Sequence, residues 1–515
     1  MFSSNSLRLT VFAVGASVAF GVLVTSNAGG YRFGVSDQAF YIPAIERDIS
    51  PALFPDGAAL IESQSRLMAT DEIVAAIAVT TGAELELLFF AGYILTVLVF
   101  AAGTTLIGVR LYRSPWSLAA LGLGLTLRHR IAETGVNTFE GYFHPRVLAF
   151  AIGLAALGAV LHRRRVCAVV LVAVAFLAHP TTAGWFAVCI VTALVVARRQ
   201  DPGLGRFGTG LAIGIAVIVA VIVGGPLSSS FVVMDSSWTA VLGEKDYLFP
   251  SDWDAATWLV NLVAPGVLAA VYVARRRAGL VSREERGVIA GCAALLLLFA
   301  ASLPLIEARV AFAVQLQTSR VLWLVDFVAT AYLVWAIAEA PWRWPSIAPP
   351  VRAGALVAIV AAASLARGTD SLWIEHDRPL VRVDLPATAW QGIGDWAATH
   401  TTLDAHFLAD PGHAWKYGVS FRVAADRDVF IESVKDAAIA TYSRDIAEEV
   451  LERLQAVGDF STLTAEDAMR LAREHDLDYL VIDRPMALPL VYDNDVFHVY
   501  ALGDDRPTPA PWPRP

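Results

Sequence analysis

Hydrophobic residues in this chain fall in long unbroken runs, each closed by a basic or turn-forming cluster, unlike the short alternations of a soluble protein. A helix that crosses a bilayer needs about 20 apolar residues, and shorter ones are accommodated inside a bundle. The spacing predicts spans near residues 7–25, 85–109, 115–127, 147–161, 166–178, 182–197, 209–226, 256–274, 287–305, 320–338 and 352–366, eleven in all. The run from 166 to 197 has basic residues at both ends and His179-Pro180 in its middle, so it reads as two short helices turning at one face. Past the last span the pattern changes to short mixed elements. It predicts a helix over Trp390 to Thr399, a strand over His406 to Ala409 and a strand or hairpin over Val419 to Phe430. Further on come helices over Ala438 to Ala456 and Ala465 to His475, then strands over Asp478 to Asp483 and Phe497 to Leu502. The expected organisation is a transmembrane core over 1–367 with a large first loop at 29–84, an α/β domain over 368–505, and a Pro-rich disordered tail over 506–515.

The distribution of charge orients this arrangement. With the N-terminus in the cytoplasm, Arg8, Arg110, Arg113, Arg163 to Arg165, Arg198, Arg199, Arg275 to Arg277, Arg283, Arg286 and Arg343 all fall on inner loops. Dropping the span at 115–127 would flip every later cluster outward. The C-terminal domain is therefore expected outside the cytoplasm, on a multi-pass protein of the inner or plasma membrane. A Ser26-Asn27-Ala28 step resembles a signal-peptidase site, but the loop after it is built to lie close to the membrane, which favours a retained first span.

Composition agrees: 56% of the chain is hydrophobic and 17% charged, and the formal net charge is -9. That charge resides in residues 368–515, which are net -13, whereas the rest is net +4. No basic stripe with interleaved aromatics is present, so nucleic acid is not an expected partner. Cys167, Cys189 and Cys292 all lie inside apolar runs, which argues against disulfides and against a zinc site. The polar part holds no Gly-rich phosphate loop, no Gly-x-Ser-x-Gly elbow and no His-Glu-x-x-His, and reads as a lid or acceptor-binding module without a catalytic centre.

Candidate chemistry collects in the outer segments. Asp37 follows the first span by a dozen residues, which keeps it near the headgroup plane. There a carboxylate serves as a general base or as a ligand for a divalent cation, or else it simply caps the helix that starts at Gln38. Glu46 and Asp48 are the next acids, and the later part of the loop, Leu60 to Ala78, has helical apolar spacing suited to the interface. Arg128, Arg130, Arg146 and Arg320 stand at outer membrane level, against the positive-inside trend, and planar guanidinium groups there suit a lipid phosphate or diphosphate. Pairing with Glu133 and Glu140 or snorkelling would also place them there. His144 and His179 titrate at membrane depth. A third loop, Ser228 to Ala255, mixes Trp238, Tyr247 and Trp253 with carboxylates, a composition shared by sugar-binding surfaces and interfacial belts.

Ser36-Asp37-Gln38, Tyr142-Phe143-His144-Pro145-Arg146, His179-Pro180, Tyr247-Leu248-Phe249-Pro250 and Gln317-Thr318-Ser319-Arg320, in this layout, resemble the GT-C superfamily of membrane glycosyltransferases. That group includes protein O-mannosyltransferases, aminoarabinose transferases and oligosaccharyltransferases. The combination is most similar to that in uncharacterised bacterial GT-C-like membrane proteins. The resemblance implies a polytopic helical core with an outer α/β domain, and transfer of a sugar from a polyprenyl-phosphate-linked donor to an acceptor at the outer face. It implies Asp37 as catalytic base, or as a residue that helps to position one, and outer-face Arg and His residues on the donor; Arg128, Arg130, Arg146 and Arg320 are the candidates for its phosphate, with Gln38, Glu46, Asp48, Glu140, His144 and His179 as candidates in support. Many members carry a second acid beside the first; here that residue is Gln38, which counts against a bound cation. Two other classes compete. A flippase or transporter of lipid-linked saccharide predicts inverted repeats and charged groups at mid-membrane depth, and apart from Asp326 the spans have almost none. A binding protein that kept the architecture without the chemistry is the other, and Gln38 is the residue that favours it.

Overall fold

A computed structural model describes residues 4–198, 231–243, 245–341 and 347–503. Ten of the eleven apolar runs are helices: Ser4–Asn27, Leu85–Leu111, Pro115–Thr126, Pro145–Leu161, Arg165–Ala178, Pro180–Arg198, Ala255–Arg277, Arg283–Glu307, Val321–Ala338 and Pro349–Thr369. The eleventh run, 209–226, lies outside the described residues, as do Arg199, Arg343 and the tail 506–515. Six of the described helical segments are long and apolar enough to cross a membrane. Their surfaces divide as a bilayer requires. Val321–Ala338 is buried nearly all round, whereas Ala255–Arg277 leaves most, and Pro349–Thr369 half, of its Leu, Val and Ile side chains outward, where water would penalise them.

Small residues set the closest helix crossings. Gly287 and Gly291, four apart on Arg283–Glu307, lie against the backbone of Pro180–Arg198; a Cβ at Gly291 would stand 2.5 Å from the Cys189 carbonyl. Backbones that approach so closely gain dispersion contacts, which drive helix association where lipid is as apolar as the side chains.

The first loop folds over one end of this bundle. Gln38–Ile49, Ala58–Ser65 and Thr70–Thr81 are helices, so the stretch read as one interfacial segment, Leu60 to Ala78, is two helices with a break near Met68. Tyr31–Arg32 pairs in parallel with Val381–Arg382 from beyond the last helix of the bundle, which joins the loop to the C-terminal region.

That region holds a five-stranded sheet in the order Asp428–Val429, His406–Leu408, Tyr479–Ile482, His498–Ala501, Leu490–Asp493. The first three run parallel and the last two antiparallel to their neighbours. The helix at Ala389–His400 and those at Arg444–Val457 and Ala465–His475 match the sequence pattern. Three details differ. Val419 to Phe430 is no hairpin: Phe421–Ala425 is a short helix that turns Arg422 inward onto Asp436, and Asp426, at φ 52°, ends it before the two-residue strand. The helix expected over Ala438 to Ala456 is broken at Ser443, whose extended backbone and hydroxyl cap a new start. Leu490–Asp493 forms an unanticipated edge strand, largely exposed and so without an alternating pattern.

The C-terminal sheet domain is seated on the first loop and the third. Asp428 accepts the backbone N–H groups of Asp56 and Gly57 at 2.8 and 3.0 Å, Trp238 donates its indole N–H to the Ala440 carbonyl, and Arg444 pairs with Asp235. Trp238 thus serves a domain contact.

Candidate functional site

Asp37 stands at the cap position of Gln38–Ile49, yet its side chain caps nothing. Ser36, at φ 55°, holds the turn in the left-handed region, a strained choice for a residue with a side chain. The carboxylate is thereby aimed away from the helix. One oxygen accepts from His144 Nε2 at 3.1 Å and the other from Lys435 Nζ at 3.0 Å, and 29% of the side chain stays accessible. Between its two readings, cap and chemical group, the geometry favours the second.

His144 is fixed as one tautomer. Its Nδ1 accepts the Arg146 backbone N–H at 3.2 Å, with the Tyr41 hydroxyl 3.4 Å away, so Nε2 carries the proton that Asp37 receives. Burial, reinforced by Arg146, pushes the imidazole down to about 4, against the pull of Asp37. Burial works to raise Asp37 as well, but Lys435, the His144 hydrogen bond and Arg146 hold its carboxyl well below the usual carboxylate range. At neutral pH the pair is therefore a neutral imidazole donating to an ionised aspartate.

Arg146 and Arg320 line one pocket beside this pair together with Thr182, Phe150, Trp185, Phe186, Trp323 and Leu324. Arg146 is buried, reaches Glu140 only at 3.9 Å, and leaves its Nε–H without a partner. Arg320 donates to the Thr134 carbonyl and lies over the Tyr247 ring at 5.1 Å. Close by, Gln317 donates to the Tyr442 hydroxyl. Two guanidinium groups at one small pocket, with enclosed space of about one water, suit a single anionic oxygen.

The other expected residues are placed as follows. His179 is half-buried near Arg146, His144 and Arg320, where desolvation holds it well below its ordinary value, and its Nδ1 caps the start of Pro180–Arg198 through the Thr182 N–H. Glu140 accepts from Arg128 and Asn137 and stands behind Arg146. Arg128 is held by Glu140 and the Phe139 carbonyl, and Arg130 points outward, 60% exposed, beside Glu133; both lie apart from the pocket. Gln38 is buried and structural: it accepts the Gly34 N–H and donates to the Phe143 carbonyl, which clamps the Asp37 turn onto the segment that carries His144. Glu46 and Asp48 lie farther along the same helix, Asp48 exposed beside Glu72 and neither in contact with Asp37. Among the described residues no three His, Cys, Asp or Glu side chains converge to hold a metal ion. The charge that meets Asp37 Oδ1 is an ammonium.

Lys435 is the residue that sequence reasoning missed, and with it the role of the C-terminal domain. A signal existed: the chain has only three lysines, Lys245, Lys416 and Lys435, among 39 basic residues. A lysine kept in an arginine-rich chain, between Glu432 and Asp436 on a short helix, marks a compact point charge. Tyr41, one turn beyond Asp37, was also passed over.

No protein-family model matches the sequence, and no curated protein is similar to it in sequence. Among solved structures, the chain is similar to the apo crystal structure of an oligosaccharyltransferase from Archaeoglobus fulgidus, at 13% identity and a TM-score of 0.45, over 91% of this chain and 69% of that one.

Proposed function

We propose that this protein is a membrane glycosyltransferase of the GT-C kind, transferring a sugar from a polyprenyl-phosphate-linked donor to an acceptor hydroxyl at the outer face of the membrane. The observation that carries the reading is one juxtaposition: an accessible, oriented carboxylate at Asp37 beside a pocket with Arg146 and Arg320 at its polar end and aromatic walls behind them. The arginines suit an oxygen of the phosphate. In the reaction the bond from sugar C1 to the phosphate oxygen breaks and a bond from C1 to the acceptor oxygen forms. Asp37 accepts the acceptor's proton, and Arg146 and Arg320 take up the charge that builds on the departing phosphate. A carboxylate held so low is a weak base towards a resting alcohol. It is suited to orient the hydroxyl and to collect the proton late, once bonding to C1 has made that proton acidic. His144 and Lys435 fix its two oxygens, so the positioning is prepaid before substrate arrives.

The test is transfer by the full-length protein reconstituted in liposomes with a panel of radiolabelled polyprenyl-phosphate hexoses and pentoses. D37N should lower protein-dependent transfer by about 10²–10⁴-fold with the protein still folded. Transfer retained by D37N overturns the assignment of the base.

A further inference from the structure

A second polar pocket opens on the other side of Tyr41, between the first loop and the C-terminal domain, with Asp71 at its floor. Asp71 is 1% exposed, and both of its carboxyl oxygens lack a protein partner. The pocket also receives the Arg422 Nε–H, likewise without a partner although that guanidinium is otherwise engaged by Asp436, and the polar groups of Tyr41, Gln64 and Ser65. A buried carboxyl with no hydrogen bond is costly, so a fold that keeps one at the floor of a pocket is built for something that enters it. The pocket joins the candidate active site through Tyr41, which lines it and whose hydroxyl lies 3.4 Å from the imidazole that holds Asp37. Asp37 and Tyr41 are one helical turn apart, about 5–6 Å along the axis. The pocket and the candidate active site thus share Tyr41 as a common wall.

Resting on the glycosyltransferase reading, we propose that this pocket is the acceptor subsite and that it takes a hydroxyl group of a neutral saccharide. The enclosed depth is about the size of one water, so a single small polar group reaches Asp71 while the body of the ligand stays in the mouth. Burial, with Glu72 and Asp48 adding to it, raises the Asp71 carboxyl well above its ordinary range, so it offers one O–H donor and one C=O acceptor. A hydroxyl matches both at once. Arg422 Nε–H and Tyr41 supply partners for an adjacent oxygen, and Phe40 and Met68 provide apolar surface for the C–H face of a ring.

Full-length protein in lipid nanodiscs, titrated with methyl α-D-mannopyranoside and methyl α-D-glucopyranoside and read by saturation-transfer NMR, tests this, with n-butylamine as a cationic comparison. Wild type and D71N, which keeps a donor and an acceptor at the same place, should bind a glycoside. D71L should bind at least about 10-fold more weakly while unfolding at the same or a higher temperature, because it removes an unsatisfied buried group. Absence of glycoside binding, or D71L binding like wild type, overturns the subsite. Binding of n-butylamine that D71N abolishes overturns its neutral-hydroxyl character. Binding is also measured on D37N, where it should persist. If D37N still transfers sugar while D71L fails to bind, the role of Asp37 falls and the subsite stands.

Discussion

Replacing Lys435 with Met keeps the aliphatic stem and removes the ammonium 3.0 Å from Asp37 Oδ1. At that separation and an effective dielectric of about 20, the pair attraction is about 5.5 kcal/mol, which would correspond to about four pH units. The full value does not apply, because 29% of the Asp37 side chain meets solvent and because His144 and Arg146 remain beside it. The usual effect of one close opposite charge on an aspartate, about 1–3 units, is the appropriate magnitude. The sign follows from the acid. Lys435 favours the ionised form, so its loss raises the Asp37 pKa, and protonation begins at higher pH. Two readouts should move together. The acid limb of kcat/KM for sugar transfer should shift upward by about 1–3 pH units. The stability that Asp37 contributes, present above its unfolded pKa and lost as pH falls through the depressed folded value, should be smaller and should disappear at higher pH in acid-unfolding curves. Lys435→Arg should restore much of both. Superimposable acid limbs for wild type and Lys435→Met would refute the idea that this lysine tunes Asp37, whatever their absolute rates.

Two further outcomes are expected. Arg146→Met and Arg320→Met should each raise the KM for the polyprenyl-phosphate donor about 10- to 100-fold, equivalent to losing one charged hydrogen bond of about 1.5–3 kcal/mol; donor titrations check this, and Arg130→Met, a change at an exposed residue, should leave KM unchanged. Asp436→Asn should destabilise the C-terminal domain by about 3–5 kcal/mol, because it strips a buried bidentate partner from Arg422, and a drop in the unfolding temperature of the purified protein measures it.

How far the sequence anticipated all this depends on the range of the interaction involved. The ten described helices of the core were legible because the length of an apolar run is a local property of the chain. Asp37, His144, Arg146 and Arg320 were legible as chemistry out of place, polar groups beside spans. What Gln38 does in place of a second acid was not legible: its amide bridges Gly34 and Phe143, contacts that local sequence does not reveal. Arg128 and Arg130 could not be told from Arg146 by depth alone; a local carboxylate or carbonyl had already claimed them. Lys435 lies 398 residues from Asp37, and nothing in either neighbourhood requires the other. Only the seating of the C-terminal domain on the first loop, through Asp428 on the Asp56 and Gly57 amides and Trp238 on Ala440, brings that lysine to the carboxylate. A domain that looks from its motifs like a cover thus supplies a charge that sets the ionisation of the candidate base. Chemistry assembled in this way is present only when the two parts are docked, so any motion that lifts the domain would release the Asp37 pKa and open the pocket at Asp71 at the same time.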